Sequence, residues 1–280
     1  MKLRLFLGAS LALALVIPAA ASATTLVGSG SVAAQPVLQA LFNGYHKLNP
    51  DVDFVYTPNG GNAGVKDVQA GRSQFAGQAR PPLPSDAGTT YVKSYLDGLC
   101  ILVNKANSLH SLTLSQIGDI YSARLTDWKT FPGAKLTGVI NPYGRDANGG
   151  TYNFFSQAVL QGNAPASNVN ALGSDGLIAN AVKQDKYAIG YDGLAYTKLL
   201  RPIRVNGIPC DHANVATEKY PLSRYIYFVL PTGAVDPKVS KFIDWARTSR
   251  TAGGIINNSG GVAVFNKKPP KHKKRKTTSR

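Results

Sequence analysis

Gly144–Phe155 reads GRDANGGTYNFF: an arginine, two glycines, a threonine, then a run of helical character. That order builds an anion trap. Gly149 and Gly150 let the backbone approach a ligand closely. Thr151 offers a hydroxyl, and the first free N–H groups of a helix over Thr151–Leu160 point at the same spot. Arg145 adds a planar, permanently charged fork that matches oxyanion geometry.

Two other turns share this pattern of strand, small residues and helix start. Thr24–Val27 reads as a strand and Gly28–Ser31 as a tight turn; Val37, Leu38, Leu41 and Phe42 then fall at helical spacing. Ser31 is the natural N-cap, and Pro36 sits early, where a missing N–H matters least. Val52–Thr57 alternates like a strand, PNGGNAGVKDVQAG turns into a helix over Asn62–Ala70, and Phe75–Ala79 is a short third strand. LCILVN, Leu99–Asn104, suits a strand buried on both faces. Leu114–Tyr121 and Val239–Ala246 read as helices; Leu136–Asn141, Ala188–Tyr191, Ile203–Val205 and Arg224–Leu230 read as strands. The alternation predicts an α/β fold whose mostly parallel sheets carry helices on their faces. Ligands of such sheets sit at the carboxyl ends of strands, against helix N-termini.

The ends of the chain are different in kind. Lys2 and Arg4 precede the apolar run Leu5–Ile17, which Pro18 breaks before Ala21-Ser22-Ala23. This pattern predicts a cleaved signal peptide over residues 1–23 and a periplasmic protein beginning at Thr24. In an oxidising compartment Cys100 and Cys210 either pair or remain inert buried thiols. The net charge of +16 over 280 residues is uneven: the last fourteen residues, KKPPKHKKRKTTSR, hold 8 of the 31 basic side chains. The body, Thr24–Asn266, is moderately basic, which favours an anionic ligand on approach. The tail Lys267–Arg280 has the composition of a disordered segment; anionic lipid or a surface polysaccharide suits it, as does no partner at all. Export argues against nucleic acid. His46, His110, His212 and His272 form no metal-ligand spacing and no G-x-S-x-G elbow occurs, so neither catalysis nor a cofactor is expected.

Several segments together resemble the phosphate-binding periplasmic receptors of phosphate ABC importers: LVGSGS, GGNAGVKDVQAGRSQFAG, SLTLSQIGDIYSARLTDW, GRDANGGT, AIGYDGLAY and YPLSRYIYF. The resemblance covers Leu26 to about Phe265. It implies a two-lobed type II periplasmic-binding-protein fold with two crossover strands. Lobe 1 would be residues 24–98 plus 224–266, and lobe 2 residues 99–223. It also implies an oxyanion between the lobes, most simply phosphate, handed by a monomeric receptor to permease subunits. The alternative is a retuned or transport-independent anion-binding protein serving scavenging, surface attachment or signalling. Carried over position by position, the ligand-facing residues are Ser31, Val32, Gly61, Asn62, Ala79, Arg145, Gly149, Gly150 and Thr151. Several depart from the family. Val32 and Ala33 replace a threonine and an aromatic, Gly61 or Asn62 replaces a serine, and Gly149 replaces another. Ala79 stands where the family has an aspartate that accepts the proton of hydrogen phosphate. Gln78 precedes that position and Arg80 follows it, where it would add a positive contact; Asp146 is a neighbouring carboxylate.

Overall fold

The computed structural model describes residues 23–264. The expected signal peptide, apart from Ala23, and the basic tail lie outside the described residues.

Alternating strands and helices give one continuous ladder. In chain order, the strands are β1 (Thr24–Gly30), β2 (Val52–Thr57), β3 (Phe75–Gln78), β4 (Thr89–Val103), β5 (Ser111–Leu112), β6 (Asn141–Arg145), β7 (Asn170–Leu172), β8 (Ala188–Gly193), β9 (Arg201–Val205), β10 (Ser223–Pro231) and β11 (Val262–Ala263). The helices are α1 (Gln35–Leu48), α2 (Gly61–Gln69), α3 (Leu114–Tyr121), α4 (Gly150–Leu160), α5 (Asp175–Gln184), α6 (His212–Ala216), α7 (Pro237–Thr248) and α8 (Arg250–Asn258). The strand order is β2-β1-β3-β10-β4-β8-β6-β7. β1, β2 and β3 run parallel at one end, and β6, β7 and β8 at the other. Between them β4 and β10 pair antiparallel and join the two halves.

Each half has its own apolar core. In the first, α1 buries Val37, Leu38, Leu41, Phe42 and Tyr45, and Phe42 stacks on Phe54 with centroids 4.5 Å apart. In the second, the face of α4 delivers Phe155 onto Tyr191, stacked at 4.0 Å, and Trp128 donates its indole N–H to the Tyr187 carbonyl. Burying aromatic rings at these geometries adds about 0.5–1.5 kcal/mol per pair beyond area alone.

Three sequence expectations shift. Gly28–Gly30 does not turn: β1 runs through Gly30, paired with Phe75–Gly77 of β3. The glycines are there for contact, since a Cβ on Gly28 would lie 2.4 Å from the Phe75 ring. The turn falls at Val32–Ala34, so Ala34 is the N-cap of α1, and Ser31 instead accepts the Ala34 N–H through its hydroxyl. The strand expected at Leu136–Asn141 lies later, as β6, because Gly138 at φ 134° breaks the extended run. Leu99–Asn104 is the end of a much longer strand, β4, 15 residues long.

Cys100 and Cys210 are disulfide-bonded, which ties β4 to the segment before α6 across a sequence separation of 110. Closing so long a loop restricts the unfolded chain, a term of ~3–5 kcal/mol in the loop-entropy account. A Cys100→Ala/Cys210→Ala variant is therefore expected to lose about that much stability, read by urea unfolding.

Candidate functional site

The carboxyl ends of β1, β2 and β6 bring the N-terminal turns of α1, α2 and α4 to the seam between the halves. At each turn the first N–H groups have no helical acceptor. The N–H groups of Val32, Ala33, Gly61, Ala63, Gly150 and Thr151 have no hydrogen-bond acceptor among the described residues. Val32, Ala33, Gly61, Gly150 and Thr151 are buried. An unpaired N–H out of water is costly, and a helix N-terminus carries partial positive charge. The seam is thus built to receive an acceptor.

The halves already touch there. Asn62, in the first turn of α2, donates its side-chain amide to the Ala147 carbonyl at 3.1 Å and to Asn153 Oδ1 at 2.6 Å. Its Oδ1 accepts from Gln78 Nε2 at 3.3 Å and Arg80 Nε at 2.9 Å. Its N–H reaches the Asn148 carbonyl. The Tyr196 hydroxyl donates to the Val32 carbonyl at 3.3 Å. A groove of about 390 Å³, lined by Lys66, Arg80, Asn148 and Asn153 among others, ends against Asn62.

The arginines around the seam are each bound to a carboxylate. Arg145 is 3% exposed. Its Nη1 meets Asp175 at 2.5 Å, Nε and Nη2 donate to the carbonyls of Leu172 and Gly173, and Gly149 packs against the guanidinium. One N–H on each terminal nitrogen is left over. Asp146 sits 3.5 Å from Arg145 Nη2, with its other oxygen turned toward Gly173. Arg80 is bound to Asp86 at 2.6 Å and 3.0 Å and to Tyr91, so it clamps its own loop. Arg224 meets Asp97, its cross-strand partner on β4, through Nε and Nη2, and donates Nη1 to the Thr151 hydroxyl at 3.0 Å. Thr151 keeps its own hydroxyl proton for a further acceptor.

Of the residues named from sequence, Gly61, Asn62, Arg145, Gly149, Gly150 and Thr151 gather at this seam, with Val32 joined to it through Tyr196. Ser31 is turned inward: its N–H donates to the Gly77 carbonyl. Ala79 is fully buried in the apolar core of the first half. The side chain that faces the seam from β3 is Gln78. Its Oε1 accepts the Ala79 N–H at 2.8 Å and lies where a Cβ on Gly61 or Gly150 would stand, 2.2 Å and 1.8 Å away. Arg224, Asp97, Asp175, Asp192 and Tyr196 were not foreseen. Their signal was present in the sequence for Arg224, Asp97 and Asp192: single charges inside the apolar strand runs RYIYFVL, YLDGLCILV and AIGYDG.

Among the described residues, Asp192 has no counterion within ion-pair distance. It is fully buried. Burial, followed by the negative charge of Asp175, pushes its carboxyl well above the usual carboxylate range. Burial also raises Asp97, against the pull of Arg224.

A family model for the PBP superfamily domain matches residues 18–250 of this chain. The chain belongs to the PBP superfamily. Its relatives lie among the phosphate-binding receptors. Protein SphX of Synechocystis sp. is 30% identical over 254 residues, 80% of this chain and 75% of that protein. The phosphate-binding protein PstS of Staphylococcus saprophyticus is 29% identical over 175 residues, covering 59% of this chain and 54% of that protein. The structure of a protein described as a phosphate ABC transporter substrate-binding protein, from Clostridium perfringens with bound phosphate, superposes at a TM-score of 0.81. It shares 26% identity and covers 86% of this chain and 100% of that one. The fold of this receptor is accordingly the two-lobed one, with β4 and β10 as the crossover strands. Among the described residues, no helix is long and apolar enough to cross a membrane.

Two outcomes follow from the geometry. Gly150→Ala places a methyl group 1.8 Å from Gln78 Oε1; the amide then swings aside and gives up its bond to the Ala79 N–H, a loss expected to cost about 0.5–1.5 kcal/mol in thermal unfolding. For Asp192, the folded carboxyl holds its proton above the ordinary pKa of 3.8. The unfolded chain releases that proton first, so this group's contribution to stability falls as pH rises from there toward the raised folded value. Asp192→Asn has no such proton to lose. Its unfolding free energy, measured from pH 4 to 8, should rise relative to the wild type as pH increases.

Proposed function

We propose that this protein is an exported receptor that captures inorganic phosphate between its lobes and presents it to the membrane subunits of an ABC importer, without chemical turnover. The observation that carries this reading is the set of acceptor-less N–H groups at the turns before α1, α2 and α4, joined at the seam by the Thr151 hydroxyl. Such donors suit an oxyanion with several lone-pair-rich oxygens. The phosphate-binding relatives support the same ligand. The leftover N–H groups of Arg145 add charge-assisted donors beside α4.

In this reading, the ligand-facing groups are the backbone of Val32, Gly61, Gly149 and Gly150, the Thr151 hydroxyl and Arg145, with Asn62 holding the lobes together around them. Ser31 and Ala79 shape their strands and do not reach the ligand through their side chains. Residues 24–98 with 224–264 form one lobe and residues 99–223 the other, so that the ligand lies on the boundary; residues 265–266, expected in the first lobe, lie outside the described residues. A bound anion would hold the lobes together because donors from both would share it.

Titration calorimetry of the purified protein with phosphate is the direct test. Binding with a dissociation constant on the order of 1 μM is expected, equivalent to about −8 kcal/mol. Thr151→Val removes a hydroxyl donor to a charged ligand, a loss of ~1.5–3 kcal/mol, and should weaken binding roughly 10- to 100-fold. No heat with phosphate at millimolar concentration overturns the assignment.

A further inference from the structure

Gln78 is the polar side chain of β3 lodged between the two lobes. Its Oε1 lies against Gly61 at the start of α2 and against Gly150 at the start of α4. A Cβ at either position would displace that amide. The amide's orientation is set by two bonds: Oε1 accepts the Ala79 N–H, and Nε2 donates to Asn62 Oδ1. Asn62 Oδ1 is in turn fixed as an acceptor by Arg80 Nε. A ligand that meets the N-termini of α2 and α4 therefore meets this amide as well.

The charged groups around it are already balanced. Arg80 is bound to Asp86, Arg145 to Asp175, and Arg224 to Asp97. Asp146 turns toward Arg145 and Gly173, and Asp192 is enclosed within the second lobe. None of these carboxylates forms a hydrogen bond with Gln78 or with the unpaired N–H groups of α2 and α4. What meets an anion at this point is thus a neutral group with two faces. Oε1 can accept a proton carried by the ligand, and the second N–H of Nε2, which has no acceptor among the described residues and lies beside Gly61, can donate to a ligand that carries none. A carboxylate in the same place would offer only the first option and would repel a fully ionised oxygen.

We infer that Gln78 sets which oxyanions the cleft accepts, and that as a neutral amide it admits fully ionised tetrahedral dianions such as sulfate alongside hydrogen phosphate. This inference rests on the oxyanion-receptor reading above. In that setting Gln78 is a specificity-determining residue whose neutrality removes the penalty on a ligand without a proton, while the backbone donors of the three turns supply the attraction.

Calorimetry of the wild-type protein and of Gln78→Glu with phosphate and with sulfate at pH 7 tests this. The wild type is expected to bind the two anions with affinities within about tenfold of each other. Gln78→Glu preserves the shape and adds one negative charge. It should lower sulfate affinity by about a hundredfold or more, the scale of one close like-charge contact, and phosphate affinity by less than tenfold. Wild-type rejection of sulfate by more than a hundredfold with phosphate still bound overturns the role given to Gln78 and leaves the receptor reading standing. Loss of both anions in the wild type overturns the receptor reading itself. Thermal unfolding of Gln78→Glu establishes that the variant is folded. If it is not, the wild-type ratio of the two affinities decides alone.

Discussion

The ion pair between Arg224 and Asp97 holds the architecture together at its narrowest point. The two residues face each other across the β4–β10 ladder, where the chain passes between lobes. Arg224 is 3% exposed and Asp97 5%. Two charges so far from water are tolerated only as a well-formed pair, and removing one partner of such a pair costs ~3–5 kcal/mol. The pair also reaches outward: Arg224 donates to Thr151 at the start of α4, and Asp97 accepts the Leu194 N–H beyond β8. One buried pair thereby fixes the crossover strands, the first turn of α4 and the exit of β8 in a single frame. The N-terminal turns can converge on the seam because that frame aligns them.

The site's electrostatics follow from the same restraint. Arg80, Arg145 and Arg224 are each bound to an aspartate, so the cleft presents little unbalanced charge from its side chains. Its positive character is carried by aligned peptide dipoles and hydroxyl or amide donors. Fixed dipoles reorganise little when a ligand arrives, so less free energy is spent on reorientation than a flexible ionic side chain would require. The moderately basic body of the protein acts at longer range and at low salt, on the approach of an anion. Approach and capture are handled by different groups.

Much of the fold was legible in the sequence, for local reasons. The period of apolar residues in α1, α4 and α7, and the continuous apolar runs of β4 and β10, reflect packing that each segment carries with it. The misread stretches are those where a distant partner decides. Gly28–Gly30 has turn composition, yet it is strand because the Phe75 ring and the β3 backbone leave room for nothing larger. Leu136–Asn141 has strand composition, yet Gly138 at φ 134° interrupts it. At the site, the glycines, Thr151 and Arg145 were legible because turn chemistry is local. At the end of β3, Ala79 packs into the first core while the neighbouring Gln78 side chain lies at the seam, because successive residues of an extended chain face opposite sides. The partners Asp97, Asp175 and Asp192 come from elements far apart in sequence, and spacing holds no record of that proximity.

The join between the halves has a mechanical meaning. There is no loose linker: β4 and β10 are long strands, hydrogen-bonded to each other from Thr89 to Gly98 and from Ser223 to Pro231. A pair of strands so coupled resists sliding and bends poorly in its own plane, but it twists. The register shift between Ile226 and Tyr227 interrupts the ladder two residues from Arg224, and a bulge of this kind bends the strand and increases its local twist. A change in the angle between the lobes would therefore load this two-strand bar in torsion, with its irregular point beside the buried ion pair. Such a bar would act as a torsion spring whose resting angle is written into the pairing of its two strands.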